Sequence, residues 1–151
     1  MKITEVLERE CVCYPLQATD KTGVIAELVD VLHAKDHFTD RDVVLKAVLA
    51  RERTRSTGIG LGLGVPHGKT AACKELVMAL GVPAMPIEFD SADGRPCRFI
   101  VLLVSPIDKT GPHIQALANV SRLWQTDGFR EALAKAESAD DIYDAIARHE
   151  A

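Results

Sequence analysis

The sequence has 151 residues, of which 47% are hydrophobic and 26% are charged. This composition is typical of a globular chain and argues against a disordered or fibrous protein. Lysine and arginine together number 18 against 22 aspartate and glutamate residues, which gives a net charge of −4. Nucleic-acid-binding proteins depend on a general positive field that this chain lacks, so we predict no nucleic-acid partner. The net charge does not exclude a local basic patch at Arg51, Arg53 and Arg55.

The length suits one compact domain over residues 1–151. The first residues, MKITEVLEREC, are too charged for a signal peptide. No apolar run approaches the ~18–20 residues that a membrane-spanning helix needs. We therefore expect a free-standing cytoplasmic protein that does not insert into a membrane.

The amino-terminal part predicts one strand followed by two helices. A short apolar strand over Cys11–Tyr14 ends at a proline. Apolar residues at helical spacing predict a helix over Val24–Ala34. Thr39 and Asp40 offer capping oxygens for a second helix, which we expect to fade near Arg53.

The central part predicts strands. Glu75–Val82 is rich in valine and leucine, and Ile87–Phe89 and Cys97–Val104 flank the turn dipeptide Asp93-Gly94. This pattern predicts a hairpin. Phe99–Val104 is continuously apolar, as expected of a strand that is buried on both faces.

The carboxyl-terminal part predicts helices: one from Pro112 onward, then Phe129–Lys135, and finally Ala139–Arg148 behind the capping Ser138. Helices therefore bracket a central group of strands. The predicted fold class is α/β, as a single three-layer domain with a mixed β-sheet between helices.

The cysteines give no metal-binding pattern, because no CxxC pair occurs. They are Cys11, Cys13, Cys73 and Cys97. We interpret them as reduced, partly buried thiols. A metal site built from His67, His113 and Cys73 lacks a nearby carboxylate ligand, so we predict neither a metal nor a cofactor.

A glycine-rich segment, STGIGLGLGVPHGK, occupies residues 56–69. The dinucleotide fingerprint GxGxxG fails, because Leu63 and Val65 fall where its third glycine is required. The P-loop pattern almost fits at Gly68-Lys69-Thr70, but Leu63 stands at its first glycine and Pro66 removes an amide from the phosphate cradle. We reject both interpretations.

His67 remains, held between Pro66 and Gly68. Proline stiffens the approach, and glycine allows the backbone of another protein to come close. A neutral imidazole presented in this way is a competent nucleophile for a phosphoryl group at physiological pH. Because an isolated loop histidine is more often a solvated side chain, the residues alone leave both interpretations open.

The segment with the core TGIGLGLGVPHGK closely resembles the active-site motif of fructose/mannitol-type enzyme IIA proteins of the bacterial phosphotransferase system (PTS). ITEVLEREC…LQATDKTGVIAELVDVL resembles the family's first strand and helix, PIEFDSADGRPCRFIVLLVSP its hairpin and central strand, and HIQALANVSRL the helix that follows. Among the branches of this family, the motifs of this sequence most resemble those of the nitrogen-regulatory branch. Leu61 departs from the family pattern, since that position is often polar.

The resemblance implies a mannitol-type enzyme IIA fold and a phosphotransferase component with a phosphohistidine intermediate. His67 matches the phosphate acceptor, through Nε2, while His113 and Arg51 match further active-site residues. Gly68 and Lys69 are additional candidates for contact with phosphate or a partner. The alternatives are a helix-capping role for His113 and a surface ion pair of Arg51 with Glu52.

The implied phosphate donor is an HPr-like phosphocarrier protein or its nitrogen-branch equivalent. The implied role is regulatory, through a cytoplasmic protein that senses the phosphorylation state. The alternative is transport, in which phosphate passes to a IIB domain of a fructose/mannitol-type sugar permease.

Overall fold

A computed structural model gives the structure of the protein and describes residues 1–150. Within these residues the chain forms helices and strands in the following order: α1 Ile3–Val6, β1 Leu7–Leu16, α2 Lys21–Ala34, α3 Arg41–Thr54, β2 Gly58–Gly60, β3 Leu63–Gly64, β4 His67–Lys69, β5 Val77–Pro83, β6 Phe99–Ser105, α4 Thr110–Gln125, α5 Phe129–Lys135 and α6 Ala139–Glu150.

The strands form one mixed sheet in the order β1-β5-β6-β3-β2, and β4 also pairs with β6. β1 runs parallel to β5, and β5 runs antiparallel to β6. β3 and β4 lie one after the other along the same edge of β6, both parallel to it. They therefore act as a single strand, interrupted at Val65-Pro66, that carries the histidine-containing segment along the fully buried β6.

Two groups of helices flank this sheet. α2 and α3 pack on each other, with α2 against β5 and α3 against β4. α4, α5 and α6 form the second group, in which α4 contacts β6 and α6 contacts β1. The predicted α/β class, a mixed sheet between helices, is confirmed.

Two helices, α3 and α6, begin where their capping residues predict, whereas α2 and α4 begin at Lys21 and Thr110, before the predicted Val24 and Pro112. The Asp40 carboxylate accepts from the N–H groups of Asp42 and Val43 at 3.1 and 3.3 Å, and α3 starts at the next residue. Ser138 Oγ accepts from the N–H of Asp141 at 3.1 Å, and α6 starts at Ala139. Every residue of β6 is buried, as its continuous apolar run predicts.

The predicted hairpin around Asp93-Gly94 is reduced to one antiparallel residue pair, in which the backbones of Ile87 and Cys97 exchange hydrogen bonds of 2.8 and 2.7 Å. Ile87 and Cys97 form only an isolated bridge, and the antiparallel partner of β6 is β5. Asp93 and Gly94 do lie in a turn, since the N–H of Gly94 donates to the carbonyl oxygen of Ser91 at 2.9 Å. The buried β5, however, offers β6 a longer apolar partner than the short Ile87–Phe89 segment does. The first strand is also longer than predicted, because β1 continues from Leu7 through Pro15 to Leu16.

No helix of residues 1–150 is long and apolar enough to cross a membrane.

Candidate functional site

A tight turn precedes the histidine-containing segment. β2 and β3 pair antiparallel, and the chain reverses through Gly60, Leu61 and Gly62, whose φ angles are 102°, 57° and 90°. Glycine adopts such positive φ values without steric cost, which explains two of the alternating glycines. This turn directs β3 along β6 and so fixes where β4 begins.

His67 opens β4, and its imidazole is held in one orientation. Its Nδ1 lies 2.9 Å from the carbonyl oxygen of Val65. A carbonyl can only accept, so Nδ1 carries the proton and Nε2 keeps its lone pair. Burial lowers the pKa of His67 below its ordinary value, and the positive charges of Arg51 and Lys69 act in the same direction. The ring is therefore neutral at pH 7, with a free nucleophilic nitrogen.

His113 meets His67 from the first turns of α4. The two ring centroids are 5.3 Å apart, and the ring planes are inclined by 64°. Nδ1 of His113 lies 2.7 Å from the hydroxyl of Ser105, at the end of β6. His113 is only 3% exposed, and its Nε2 has no hydrogen-bond partner within residues 1–150. Burial, with the neighbouring His67 and Lys69, lowers the pKa of His113 to about 4.

The helix-capping alternative for His113 is wrong, because its ring bonds to β6 rather than to the start of its own helix. The unpartnered Nε2 is unusual, since a buried polar atom without a partner costs about 1–3 kcal/mol. Such an atom fits a site that receives a polar group from outside.

Arg51 lies in the last turn of α3, beside His67 on a cleft of about 580 Å³. Its guanidinium donates to the carbonyl oxygen of Arg55 at 2.9 Å and approaches the hydroxyl of Thr54 at 3.4 Å. The alternative of an ion pair with Glu52 is wrong, because Glu52 points inward and pairs with Lys21 at 3.2 Å. The rest of the Arg51 fork is available for an anion in the cleft.

Lys69 and Gly68 complete the set of predicted residues. The exposed Lys69 donates from Nζ to Thr110 Oγ1 at 3.1 Å, so its ammonium lies at the start of α4. Gly68 is buried, and a Cβ at this position would lie 3.1 Å from Val48 Cγ2 and 3.3 Å from the Val48 backbone nitrogen. The sequence predicts that Gly68 lets the backbone of another protein come close. That prediction is wrong, because the backbone close to Gly68 is that of α3 in the same chain.

Sequence reasoning missed Glu52 as part of this region. Glu52 is 7% exposed, and its carboxylate accepts from both the N–H and the hydroxyl of Thr57, at 2.8 and 2.5 Å. A signal was present in the sequence: the buried residues of α3 are Val44, Val48 and Glu52, which recur every four positions. A carboxylate on the apolar stripe of a helix indicates a buried charge with a specific partner.

The surroundings of the site are partly apolar. Ile59 is 52% exposed and lines the cleft with His67, while Leu61 is 42% exposed at the adjacent turn. Leu63 and Val65, in contrast, are buried. The competing metal site has no support from Cys73, whose thiol donates to the carbonyl oxygen of Glu75 at 2.9 Å.

Solved structures of other proteins share this fold. The nitrogen regulatory protein IIA-Ntr from Neisseria meningitidis is 27% identical and superposes with a TM-score of 0.86, over 94% of this chain and 97% of that one. The mannitol enzyme IIA of Escherichia coli, solved as a complex with phosphorylated enzyme IIB, is 18% identical with a TM-score of 0.79, over 95% and 99% of the two chains.

The chain belongs to the EIIA 2 family of the phosphoenolpyruvate-dependent sugar phosphotransferase system, whose sequence model matches residues 5–149. It is similar to the fructose-specific EIIA component of Haloferax volcanii, at 35% identity over 84% of this chain and 82% of that protein. It is also similar to the nitrogen regulatory protein of Escherichia coli, at 32% identity over 97% and 90%.

The fructose-specific EIIABC component of Bacillus subtilis is 34% identical over 99% of this chain. The chain spans 24% of the length of that protein.

Proposed function

We propose that this protein is a phosphoryl carrier that holds phosphate on Nε2 of His67. The observation that carries the proposal is the hydrogen bond from Nδ1 to the carbonyl oxygen of Val65, 2.9 Å long. It fixes the tautomer in which Nε2 has a free lone pair, on a ring that borders an open cleft. Membership of the EIIA 2 family supports the same chemistry.

The transfer needs no other protein nucleophile. The lone pair of Nε2 forms a bond to phosphorus while the bond from phosphorus to the donor's nitrogen breaks, and that nitrogen keeps the electron pair. The ring of His67 then carries a partial positive charge with its proton still on Nδ1. The Val65 carbonyl stabilises this product, because it accepts from an N–H that has become more acidic.

Arg51 and His113 serve the transferring group in this proposal. Charge spreads over three phosphoryl oxygens in the transition state, and a guanidinium fork fits two of them. When the Ser105 hydroxyl donates to Nδ1 of His113, Nε2 of His113 carries the proton and can donate to the third oxygen. Lys69 contributes a positive charge from the start of α4.

The donor in this proposal is an HPr-like phosphocarrier that presents its own phosphohistidine. The surface of this protein on which the donor docks includes the exposed Ile59 and Leu61. They supply apolar contact beside the basic Arg51 and Lys69. Apolar area provides most of the affinity in such a contact, and the charges orient the incoming phosphate.

The downstream role that we favour is regulatory. Phosphate on His67 places nearly two negative charges at the centre of the docking surface, so a partner that accepts the bare imidazole is repelled by the phosphorylated one. Similarity to nitrogen regulatory proteins supports this role, notably the TM-score of 0.86 with the Neisseria protein.

Transport is the second candidate, and the fructose-specific relatives at 34% and 35% identity favour it. The partner would be a IIB domain, as in the complex of the mannitol enzyme IIA with phosphorylated enzyme IIB. A chase of phosphorylated protein with the purified IIB domains encoded in the same genome separates the two roles. Transfer to a IIB domain at the rate of donation supports transport, whereas phosphate retention with state-dependent binding of another protein supports regulation.

The phosphate-acceptor assignment is tested with phosphoenolpyruvate, enzyme I and HPr. The wild type should gain the mass of one phosphate, stable to base and labile to acid, and His67→Ala should gain none. The matched control is His33→Ala, which removes an exposed histidine at the end of α2. Phosphate uptake by His67→Ala would disprove the assignment.

Arg51→Ala and His113→Ala should fold and still accept phosphate, but more slowly. Loss of one donor that acts mainly in the transition state typically lowers the rate by ~10²–10³. Single-turnover phosphorylation by the donor measures this rate. Variants that fold normally and react at the wild-type rate would exclude these two residues from the reaction.

A further inference from the structure

A buried carboxylate lies behind the nucleophile. Glu52 accepts from the N–H of Thr57 at 2.8 Å, and the carbonyl oxygen of Thr57 accepts from the N–H of Val65 at 3.0 Å. The carbonyl oxygen of Val65 accepts in turn from Nδ1 of His67 at 2.9 Å. Three successive hydrogen bonds therefore join the end of α3 to the imidazole, across the interruption between β3 and β4.

We propose that Glu52 is a positioning residue for His67, acting through Thr57 and Val65 to hold the Nδ1–H tautomer and the orientation of the ring. The proposal rests on the proposed phosphorylation of His67 for its functional meaning. Its structural part, the state of the imidazole, can be measured without any phosphate transfer.

The first argument is the cost of burying Glu52. It is 7% exposed on the apolar stripe of α3, where a leucine would pack without desolvation. Replacing a buried ion pair by apolar residues is often neutral or stabilising, so a pair such as Glu52 and Lys21 is weak evidence for a role in stability alone. A specific task in placing the backbone accounts for a carboxylate at this position.

The second argument is that Glu52 binds the segment at one defined point. Both the N–H and the hydroxyl of Thr57 donate to its two oxygens, so Thr57 is clamped in position and direction. Thr57 directly precedes β2 and shares its hydrogen bond with Val65, the residue that holds His67. A shift of Thr57 therefore moves the acceptor of the Nδ1–H bond.

The third argument is the sign of the charge. Arg51 and Glu52 from α3, Lys69 from β4 and His113 from α4 are the charged or titratable groups around the ring. Arg51 and Lys69 lower the pKa of His67, whereas Glu52 raises it. The carboxylate thus favours positive charge on the ring, which is the charge that develops when Nε2 bonds to phosphorus.

The test combines the state of the imidazole with the rate of phosphorylation. Glu52→Gln keeps the side-chain volume and one oxygen acceptor but removes the charge. We expect its His67 pKa to fall, because the negative charge that raises it is removed, and a population with the proton on Nε2 to appear, both read from ¹⁵N chemical shifts of the imidazole. The single-turnover rate should fall by roughly ten- to a hundredfold, the range known for loss of the hydrogen-bond partner behind a metal-binding histidine.

The matched control is Glu27→Gln. Glu27 also binds loop backbone, since it accepts from the N–H groups of Gln17 and Ala18 at 3.0 and 2.9 Å, but it has no bond to the His67 segment. Its variant should leave the His67 pKa, the tautomer and the rate unchanged. In the Glu52→Gln variant, Lys21 would keep only the more distant Asp90 carboxylate, at 4.0 Å. Should Glu52→Gln fail to fold, the double variant Glu52→Gln/Lys21→Met removes both charges and serves in its place.

The outcomes separate the two proposals. An unchanged pKa and tautomer of His67 in the folded Glu52 variant would overturn the positioning role, even if the rate fell. A wild-type protein that takes no phosphate would overturn the proposed function, while the ¹⁵N shifts would still decide whether Glu52 holds the ring.

Discussion

The indole N–H of Trp124 donates to the carbonyl oxygen of Leu61 at 3.1 Å, which joins α4 to the turn between β2 and β3. On the other side of the turn, the Asp93 carboxylate accepts from the N–H of Leu61 at 2.8 Å. Leu61 is thus held from both sides with a φ of 57°, between two glycines that also have positive φ. A non-glycine residue keeps such a conformation only where its surroundings enforce it.

Leu61→Asn should stabilise the protein. Asparagine adopts positive φ more readily than leucine, and the leucine side chain is 42% exposed, so little apolar burial is lost. We expect a gain of about 0.5–1 kcal/mol in the free energy of unfolding, measured by urea denaturation. The control is Ile59→Asn, a similarly exposed residue in β2 without a positive φ. Equal effects of the two substitutions would contradict the explanation.

The stability of the protein should depend on pH through His113. Burial lowers the pKa of His113 from 6.5 to about 4, so between these values the unfolded chain binds a proton that the folded protein does not. The free energy of unfolding is therefore unaffected by the titration of His113 above pH 6.5, and it decreases as the pH falls from 6.5 towards 4. The loss is on the order of 3 kcal/mol, since one pKa unit corresponds to 1.36 kcal/mol.

His113→Gln removes this titration. Urea denaturation between pH 4 and 7.5 should therefore show a shallower fall in stability for the variant than for the wild type, with the difference confined to pH below about 6.5. His33→Gln, at an exposed position on α2, should follow the wild-type curve. Parallel curves for wild type and His113→Gln would show that His113 is not held neutral by burial.

Gly68→Ala should damage the site by overpacking. The added methyl would lie 3.1 Å from Val48 Cγ2 and 3.3 Å from the Val48 backbone nitrogen, so β4 and α3 must separate. Overpacking of this kind costs typically 1–3 kcal/mol. Because α3 carries Arg51 and β4 carries His67, the phosphorylation rate should fall together with stability.

The control for this substitution is Gly111→Ala. An added methyl at Gly111 meets nothing within 4 Å, and its φ is not positive. This variant should be neutral or more stable by about 0.4–1 kcal/mol, because alanine restricts the unfolded chain. Thermal melts and single-turnover kinetics compare the two. A Gly68→Ala protein as stable and as active as Gly111→Ala would show that α3 adapts to the added methyl.

Local signals in the sequence determined the helices and the central strand. Asp40 and Ser138 supply side-chain oxygens that accept from free N–H groups in the first turn of a helix, and α3 and α6 begin at the residues that follow them. The continuous apolar run of β6 indicated a strand that is buried on both faces, in the interior of the sheet. The family motif named His67, His113 and Arg51 as candidates, since the residues around them are characteristic of that family.

Tertiary structure decided how these parts meet. The pairing of β6 with β5 instead of Ile87–Phe89 depends on which buried surface is larger, and Gly68 is close to α3 because α3 crosses β4. The 5.3 Å approach of His113 to His67 requires β4 to pair beside β6, next to the end from which the chain continues into α4, and this pairing is not encoded by spacing along the chain. Glu52 turns inward because Lys21 and Thr57 compensate the loss of its hydration, and these partners come together only when α2, α3 and β2 pack.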